Sequence, residues 1–503
     1  MEETLLAADT PTPSARASLS ISFGDDGGGN NPRGATGSFS SDALDTADPR
    51  GALDGPDRHH SDHIHNTALL CWVKPVPKQT WGPQQLTHRV ATGYDLVYDL
   101  VFAALIASLG HSFSAEVEDG DVVVGLRDYA AMFLPLFLVW AGIVDLLNKF
   151  DEKDVIFRLY FVANLAASAF LGISAEVCGS NLERNGCHAF VRTLAWVKIV
   201  QILFRVYLIF HNRHLWISEG CLAAIDGLVG VFFFANSLIS IDTCGEFADD
   251  CWTPYIVTWW LAIGADFLKM TVVVPSLGSC CVRDKVVVPH NIPLYIERFS
   301  CFIILCLGEI VASCVAHELN RSRDGGAAGA NNATASAGGE TDPDPIDPHV
   351  LISLISLATA VLSIAYFDVR EHSDVSTLLH GVGHALQRGP VHKGIWVVLH
   401  IFLAGSLNIF GNQMEHALAE GNPRIDLIAF ALCLIELCFA GFDLLHGGDE
   451  SNINAKKPVR IAAGVAGGVL HAISWQWFIL DWPGSIGTYM IVQDLILAVV
   501  VGF

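Results

Sequence analysis

Long apolar runs separated by short polar breaks fill the sequence from Gly93 to its last residue. Each run has about 18 to 25 residues, and a helix that rises 1.5 Å per residue needs about 20 residues to cross a hydrocarbon core of about 30 Å. Backbone N–H and C=O groups in lipid must pair within their own segment, so such runs favour helices. The predicted fold is therefore all-α, a polytopic integral membrane helix bundle of about twelve transmembrane helices. We place these helices approximately at 93–113, 129–148, 155–177, 189–210, 216–240, 253–275, 293–317, 349–369, 394–416, 425–445, 459–480 and 484–502.

The composition supports a membrane protein and argues against other classes. Of the 503 residues, 52% are hydrophobic and only 16% are charged, which is too apolar for an ordinary soluble protein of this length. The lipid bilayer is therefore the first predicted partner. A formal net charge of −23 argues against a nucleic-acid partner, because the phosphate backbone would repel such a chain.

The chain divides into a polar tail and a membrane domain. Residues 1–90 are rich in Gly, Ser, Asp and Pro and have no long apolar run, which predicts a disordered acidic N-terminal tail. Residues 91–503 form the predicted transmembrane domain. Within this domain, 318–348 is predicted to be a disordered extracytoplasmic loop. The segment 370–393 carries an approximate apolar stripe at helical spacing and is predicted to be a cytoplasmic interfacial segment.

The distribution of basic residues between the loops predicts the orientation. Lys and Arg concentrate in every second loop, and loops rich in these residues favour the cytoplasm. An even number of spans with a cytoplasmic N-terminus accounts for this alternation. We therefore expect an integral protein of the plasma membrane or an endomembrane. The basic loop residues include Lys149, Arg213, Lys285, Arg388 and Lys457.

Two features of the opposite loops agree with this orientation. Two pairs of nearby cysteines lie in loops assigned to the outer or lumenal side, where disulfides persist. The loop after the seventh span carries two Asn-X-Ser/Thr patterns, which are glycosylation acceptors. The disulfide candidates are Cys178 with Cys187 and Cys244 with Cys251, and the glycosylation candidates are Asn320 and Asn332.

Ionisable residues inside the spans are the candidate functional residues. Asp95 and Asp99 share one face of the first helix because they are four positions apart. An acid within a hydrocarbon span costs about 2.5–3.5 kcal/mol by insertion scales, so such a face rarely points at lipid. Glu309, near the middle of the seventh span, must be protonated, paired with a cation or facing water. The candidate pathway for a substrate or ion consists of Asp95, Asp99, Glu297, Arg298, Glu309 and His400.

Two interpretations of these residues stay open at this point. In the first, they line a polar route or cavity in which carboxylates take up and release protons or cations. In the second, they hold helices together by hydrogen bonds and ion pairs such as Asp266 with Lys269, each worth about 1 kcal/mol or less in membranes. Ser, Thr or Asn could lock helices at a lower cost, which favours the first interpretation for the set as a whole.

Several short motifs resemble the low temperature requirement A (LtrA) family of polytopic membrane proteins. The segment DLVYDLVF at 95–102 is similar to the family's opening ELFFDLVF, with Asp95 in place of the usual Glu. The resemblance implies a multi-pass membrane protein and names no substrate. The acidic tail and the 318–348 insertion suggest a eukaryotic-type member. The other similar pieces, spread in order over most of 88–480, are Trp140, Asn148, Phe150, Asp151, Asp154 and Arg158, then Glu297-Arg298-Phe299 running to Leu307-Gly308-Glu309, and then Tyr366-Phe367-Asp368.

An internal repeat is also suggested by the sequence. If Asp95 is aligned with Glu297, Val97 meets Phe299, and the apolar stretches AALIAS and GEIVAS fall close together. Both spans enter from the cytoplasm in the predicted orientation. The chain would then contain two parallel six-helix repeats, a plan found in several secondary transporters.

Together these features predict a secondary transporter or channel-like protein for a small solute or ion that uses intramembrane carboxylates. The alternative is a non-transporting membrane scaffold, sensor or lipid-interacting protein, in which the same residues fix helix packing. No enzymatic function is predicted, because the sequence has no HExxH, GxSxG, Walker or dinucleotide-binding motif. No cofactor and no metal site are expected, and the oligomeric state is left open.

Overall fold

The structure, a computed structural model, describes residues 93–445 apart from short gaps, together with a few residues of 461–469. Within this part of the chain every regular element is helical, and no β-strand occurs there. The predicted tail at 1–90 lies outside the described residues. The gaps are 120–121, 151–153, 180–186, 239–247, 281–287, 289, 329–347, 372–383 and 421–423.

Ten long helices make up the described part, and we label them α1 to α10. They are α1 (Gly93–Asp119), α2 (Val122–Lys149), α3 (Val155–Gly179), α4 (Cys187–His211), α5 (Trp216–Leu238), α6 (Ala248–Leu268), α7 (Ile292–Ala328), α8 (Pro348–Glu371), α9 (Pro390–Glu420) and α10 (Ile425–Leu445). After α6 the chain continues through a π-helical turn at Lys269–Val273, called the π-turn below, into a short helix at Val274–Cys280.

The ten helices are long and apolar enough to cross a bilayer. Each contains at least 18 residues of candidate span, with a mean hydropathy between 1.4 and 2.3. Large apolar side chains point outward from them, as they can when the surrounding solvent is lipid. Examples are Phe170 on α3, Trp196 and Phe210 on α4, and Phe234 on α5, each more than half exposed. The all-helical, multi-pass membrane fold predicted from the sequence is confirmed.

The helix positions agree with the first ten predicted spans to within a few residues at most ends. The last two predicted spans, 459–480 and 484–502, lie largely outside the described residues. The predicted number of twelve is therefore approximate.

Two helices form the centre of the described bundle. In α2, 89% of the most apolar stretch is buried, and in α9 72%, compared with 39% in α3. The helix α2 packs against α1, α3, α6, α7 and α9, and α9 packs against α1, α7, α8, α10 and the π-turn. Stacked aromatic rings fill the contact between α2 and α7, with the ring centroids of Trp140 and Phe302 4.2 Å apart. Polar side chains that face α2 or α9 are therefore removed from lipid.

Three helices extend clearly beyond the predicted spans. The helix α7 continues to Ala328, so the first part of the predicted 318–348 loop is helical. The helix α1 continues to Asp119, past the predicted end at 113, and α2 begins at Val122, before the predicted start at 129. A helix that leaves the hydrocarbon core keeps its backbone hydrogen bonds, and these extensions contain good helix formers such as Glu, Ala and Leu.

The predicted interfacial segment 370–393 is described only at its ends. Its start belongs to α8, and its end contains a one-turn helix at Ala385–Arg388. His384 caps this turn, because its Nδ1 accepts a hydrogen bond from the backbone N–H of Leu386 at 3.1 Å. The helix α9 then begins at Pro390, in the first turn, where a missing N–H costs nothing.

Candidate functional site

The side chain of Arg298 on α7 bridges two carboxylates on α1. Its Nε and Nη2 donate to Oδ2 and Oδ1 of Asp99 at 2.9 and 2.7 Å, a bidentate pair. Its Nη1 donates to Oδ1 of Asp95. The indole N–H of Trp140 on α2 donates to Oδ1 of Asp99 at 2.8 Å. These four residues, called the Arg298 cluster below, connect α1, α2 and α7.

The Arg298 cluster is almost completely buried. Asp95, Asp99 and Arg298 are each at most 1% exposed. The spacing of four places both acids on one face of α1, and this face meets α7 instead of lipid. The planar guanidinium is weakly hydrated and suits such a site better than an ammonium group does. Losing one partner of a buried pair costs about 3–5 kcal/mol, so these contacts hold three helices in register.

Glu309 lies in a different place, about 16 Å further along α7 than Arg298. It is half-buried and lines a small cleft between α1, α7 and α9, which has about 20 Å³ of water-accessible volume. That volume is enough for about one water molecule. The cleft, called the Glu309 cleft below, has three other polar lining residues: Ser313 on α7, and Asn408 and Asn412 on α9. Of the described residues that line the cleft, Glu309 is the only charged one.

A hydrogen-bonded set of side chains forms the polar wall of the Glu309 cleft. Oδ1 of Asn408 accepts from the hydroxyl of Tyr129 at 3.0 Å and from Nδ2 of Asn412 at 2.9 Å. Nδ2 of Asn408 donates to the carbonyl of Ile106 at 2.8 Å. The amide of Asn412 occupies space that only a glycine leaves open, because a Cβ on Gly110 would lie 1.4 Å from its Nδ2. Three helices, α1, α2 and α9, thus fix the two amides.

Glu297 is half-buried on α7 and adjacent in sequence to Arg298. Within the described part of the chain it forms no ion pair, and it is not a member of the Arg298 cluster. Its position in the family's motif does not translate into a role in that cluster.

His400 on α9 is buried among aromatic rings. Its Nδ1 lies 2.9 Å from the carbonyl oxygen of Trp396, which can only accept, so Nδ1 carries a hydrogen. Its Nε2 lies 3.2 Å from the hydroxyl of Tyr366 on α8. The ring centroids of Trp396 and Phe442 lie 4.0 and 4.5 Å away. These contacts connect His400 to α8 and α10.

The six candidate pathway residues therefore do not meet in one cavity. Asp95, Asp99 and Arg298 form one cluster, whereas Glu309 lines a cleft elsewhere on α7 and His400 lies among aromatic side chains. The sequence patterns identified buried polar positions, but they did not show which positions lie together.

A larger network of buried charges connects α4, α5 and the end of α6, and most of it was missed in the sequence. It contains three cations and three anions, each at most 2% exposed. We call it the α4–α6 network. Its members are Lys198, Arg205, Glu219, Asp226, Asp266 and Lys269.

Asp226 on α5 is the centre of the α4–α6 network. Its Oδ1 lies 2.5 Å from Nζ of Lys269 and 3.5 Å from Nζ of Lys198. Its Oδ2 accepts from Nε of Arg205 at 3.0 Å. Both lysines also reach Asp266, at 2.7 Å from Lys198 and 2.5 Å from Lys269. The predicted pair of Asp266 with Lys269 is thus part of a larger set.

Seven-residue spacing was the signal that could have revealed this network. Lys198 and Arg205 are seven apart on α4, and Glu219 and Asp226 are seven apart on α5. Seven residues are close to two helical turns, so each pair lies on one face. Two cations on one span and two acids on the next span predict facing partners, and Arg205 indeed lies 2.5 Å from Glu219.

The π-turn begins at a member of the network. Lys269 is its first residue, and the backbone carbonyl of Thr271 faces α9. A Cβ on Gly394 of α9 would lie 2.1 Å from that carbonyl oxygen, so the close approach requires glycine. Single π-helical turns within α-helices are frequent at functional sites.

Comparison with known families decides where the chain belongs. A model of the family described as "Bacterial low temperature requirement A protein (LtrA)" matches residues 90–492, most of the chain. The chain belongs to this family. Comparisons with curated proteins and with solved structures find no match.

In this LtrA-family protein, motif pieces that are distant in sequence meet in space. Asp99 and Arg298, which are 199 positions apart, are bonded in the Arg298 cluster, and Trp140 completes that cluster. Phe299 packs against Trp140 with the ring centroids 4.9 Å apart. Asp99, Trp140, Arg298 and Phe299 thus form a single contact between α1, α2 and α7, whereas the motif residues Glu297 and Glu309 lie outside it.

A further polar contact of this LtrA-family protein lies at the end of α2. Asp145 accepts from Nζ of Lys149 at 2.8 Å and lies 2.6 Å from Nε2 of His290. Asn148 and the backbone of Asn291 exchange two hydrogen bonds, at 2.8 and 2.6 Å. His290 lies outside the membrane-spanning segments. Burial lowers its pKa below the usual range, although the carboxylate of Asp145, which accepts a hydrogen bond from the ring, opposes that shift.

The loop candidates have different outcomes. A disulfide joins Cys178 at the end of α3 to Cys187 at the start of α4, with the Cα atoms 4.5 Å apart. Cys244 and Asn332 lie outside the described residues. Cys251 and Asn320 belong to α6 and α7.

Proposed function

We propose that this LtrA-family protein is a secondary transporter or channel-like protein that moves a small solute or ion past carboxylates inside the membrane. The observation that carries the proposal is the Glu309 cleft. There, a half-buried acid lines a water-accessible space between three membrane-spanning helices. Within the described chain no Lys or Arg pairs with Glu309. An intramembrane acid of this kind marks a substrate or proton pathway by default.

The number of buried charges supports the same proposal. The Arg298 cluster and the α4–α6 network together contain nine charged side chains within the spans, each at most 2% exposed. Taking an ion out of water costs several kcal/mol, which good pairing only offsets. Ser, Thr and Asn would hold helices together at a much lower cost. A purely structural origin therefore accounts poorly for so many charges.

The order of helix contacts is compatible with two parallel repeats. The helix α1 packs against α2 and α3, and α3 packs against α4. In the second half, α7 packs against α8 and α9, and α9 packs against α10. The first four helices of each proposed repeat thus have corresponding neighbours. In transporters built from such repeats, the substrate site lies where the two units meet.

The mechanism that we propose uses the two separate sites on α7 differently. The Arg298 cluster keeps α1 and α7 together near the start of α1, which is the proposed cytoplasmic end. The Glu309 cleft lies further along the same two helices and holds the cargo or the coupling ion. Rocking of one unit against the other would open the cleft to one side of the membrane at a time.

A non-transporting scaffold, sensor or lipid-interacting protein is the second candidate. The observation that favours it is that Arg298 pairs directly with both Asp95 and Asp99, and that the α4–α6 network has equal numbers of cations and anions. Such pairs could serve only to fix helix packing. This candidate predicts a stable protein that carries no flux.

We also propose a cytoplasmic N-terminus and a location in the plasma membrane or an endomembrane. The disulfide between Cys178 and Cys187 supports this orientation, because it lies in a loop on the side opposite the basic loops.

Reconstitution of the full chain into liposomes tests the proposal. Uptake of a panel of small ions and solutes would be compared between vesicles with wild-type protein, with Glu309→Gln and with Glu318→Gln. Glu318 is a matched control, since it is also a half-buried acid on α7 but does not line the cleft. We expect uptake of at least one panel member, loss of that uptake in Glu309→Gln and its retention in Glu318→Gln. Absence of flux for the whole panel from folded protein would support the scaffold.

A further inference from the structure

The Glu309 cleft offers oxygen atoms to a ligand from several side chains. Glu309 contributes a carboxylate and Ser313 a hydroxyl. The amide of Asn412 is oriented by its Nδ2, which donates to the backbone carbonyl of Asn408 at 2.8 Å and to Oδ1 of Asn408 at 2.9 Å. Oδ1 of Asn412 is therefore the atom that remains for a ligand. Carboxylate, hydroxyl and amide oxygens are the ligands that hard cations prefer.

The single carboxylate in the cleft favours a ligand with one positive charge. Glu309 is the only charged residue among the described lining residues, and no Lys or Arg among them neutralises it. One positive charge makes the site neutral. A divalent ion would leave an excess positive charge among membrane-spanning helices, where an uncompensated ion costs several kcal/mol. The cleft therefore favours a monovalent cation.

The size of the cleft limits the ligand to a single small ion. A water-accessible volume of about 20 Å³ holds about one water-sized particle. The rest of the lining is apolar and consists of Ala103, Ile106, Ala107, Cys306, Ile310 and Gly411. An organic solute does not fit in this conformation, whereas a proton or a sodium ion does.

We propose that the Glu309 cleft binds one small monovalent cation. The cation is either a proton carried on the carboxylate of Glu309 or a sodium ion held by Glu309, Ser313 and Asn412. The inference rests on the proposed function, because the ion would be the cargo or the coupling ion of the transport cycle. Tyr129 and Gly110 are positioning residues, since the first orients the amide of Asn408 and the second leaves room for Asn412.

The test is a measurement of cation binding that does not depend on flux. The melting temperature of the purified full chain would be followed during titration with sodium chloride, with choline chloride as the ionic-strength control. A parallel pH series would be recorded without sodium. A ligand that binds only the folded protein raises the melting temperature as its concentration rises above the dissociation constant. The variants are Glu309→Gln, the matched control Glu318→Gln, and Gly110→Ala.

For a sodium site, we expect sodium but not choline to raise the melting temperature of the wild type. For a proton site, we expect a pH-dependent step in melting temperature and no sodium effect. Either response should be lost in Glu309→Gln, kept in Glu318→Gln and weakened in Gly110→Ala. If Glu309→Gln does not fold, Glu309→Asp and Asn412→Ala take its place. For a sodium site, we expect both variants to bind sodium more weakly than the wild type.

Three results would overturn the inference: no response to sodium or pH in the wild type, an unchanged response in Glu309→Gln, or a larger shift with calcium than with sodium. The failure of the proposed function looks different. Cation binding at Glu309 without any flux in liposomes would support the cation site and contradict the transport function. Flux that is independent of Glu309, of sodium and of protons would support transport and contradict the cation site.

Discussion

At the residue scale, Arg298 has the largest predicted effect on stability. Replacing it by Gln leaves Asp95 and Asp99 buried without their guanidinium partner, a loss of about 3–5 kcal/mol for a buried pair. We expect Arg298→Gln to lower the melting temperature strongly and to reduce the yield of monodisperse protein. Arg298→Lys should recover only part of this loss, because an ammonium group cannot make the bidentate contact with Asp99.

The triple variant Arg298→Gln with Asp95→Asn and Asp99→Asn is the matched control. It removes the charges together and should be more stable than Arg298→Gln alone. Wild-type stability of the single variant would show that the guanidinium does not hold α1 and α7 together.

His290 gives a pH-dependent prediction at the same scale. Its pKa in the folded protein lies below the value of about 6.5 in an unfolded chain, because burial disfavours the charged ring. As the pH falls through 6.5, the unfolded chain therefore takes up the proton first, and stability is lost. This contribution is fully present above about pH 6.5. Melting curves between pH 5 and 8 should show a smaller loss on acidification in His290→Gln than in the wild type.

The exposed His214 provides the control for this measurement. An identical pH slope in His290→Gln and in the wild type would exclude His290 as a source of acid sensitivity.

Part of the Arg298 cluster could be predicted from residue types and local spacing in the sequence. The four-residue spacing of Asp95 and Asp99 correctly indicated a shared face, because helix geometry alone determines it. Their partner Arg298 could not be identified, since it lies on a helix about 200 positions away and nothing in one sequence specifies which helices touch. The seven-residue pairs on α4 and α5 indicate, from spacing alone, which faces of these helices carry charge.

At the element scale, the spans were predictable and the contact made by the irregular turn was not. Bilayer thickness fixes the length of an apolar helix, so hydropathy located ten helices to within a few residues at most ends. The π-turn at Lys269–Val273 lies just before Pro275, which has no N–H to bond the carbonyl of Thr271 four residues earlier. The proline is a local signal for an irregular helix, but the approach of Gly394 to that carbonyl is a tertiary contact that no local pattern encodes.

Gly394→Ala tests the importance of that approach. A Cβ at this position would lie 2.1 Å from a backbone oxygen, so α9 or the π-turn must move. Because the π-turn carries Lys269, we expect lower thermal stability and altered flux in liposomes. The control is Gly264→Ala on α6, where a new Cβ meets nothing within 4 Å. Equal behaviour of the two variants would contradict a tight contact between α9 and the π-turn.

At the scale of the whole molecule, orientation is the first property to test. A cytoplasmic N-terminus places the connection between α7 and α8, residues 329–347, on the lumenal or outer side, where Asn332 can be glycosylated. In eukaryotic cells we expect a glycan that Asn332→Gln removes, seen as a shift in electrophoretic mobility. An N-terminal tag should be digested by protease added to sealed microsomes. Protection of the tag would show that the N-terminus lies on the lumenal side and would contradict the proposed orientation.

The central claim is that charge crosses this LtrA-family protein by way of Glu309. Current recording on proteoliposomes adsorbed to a solid-supported membrane tests it most directly, because a jump in sodium concentration or pH drives the ion through the protein. We expect a transient current with the wild type and with Glu318→Gln, and its loss with Glu309→Gln. A current of equal size in folded Glu309→Gln, or none in the wild type under either jump, would contradict the claim.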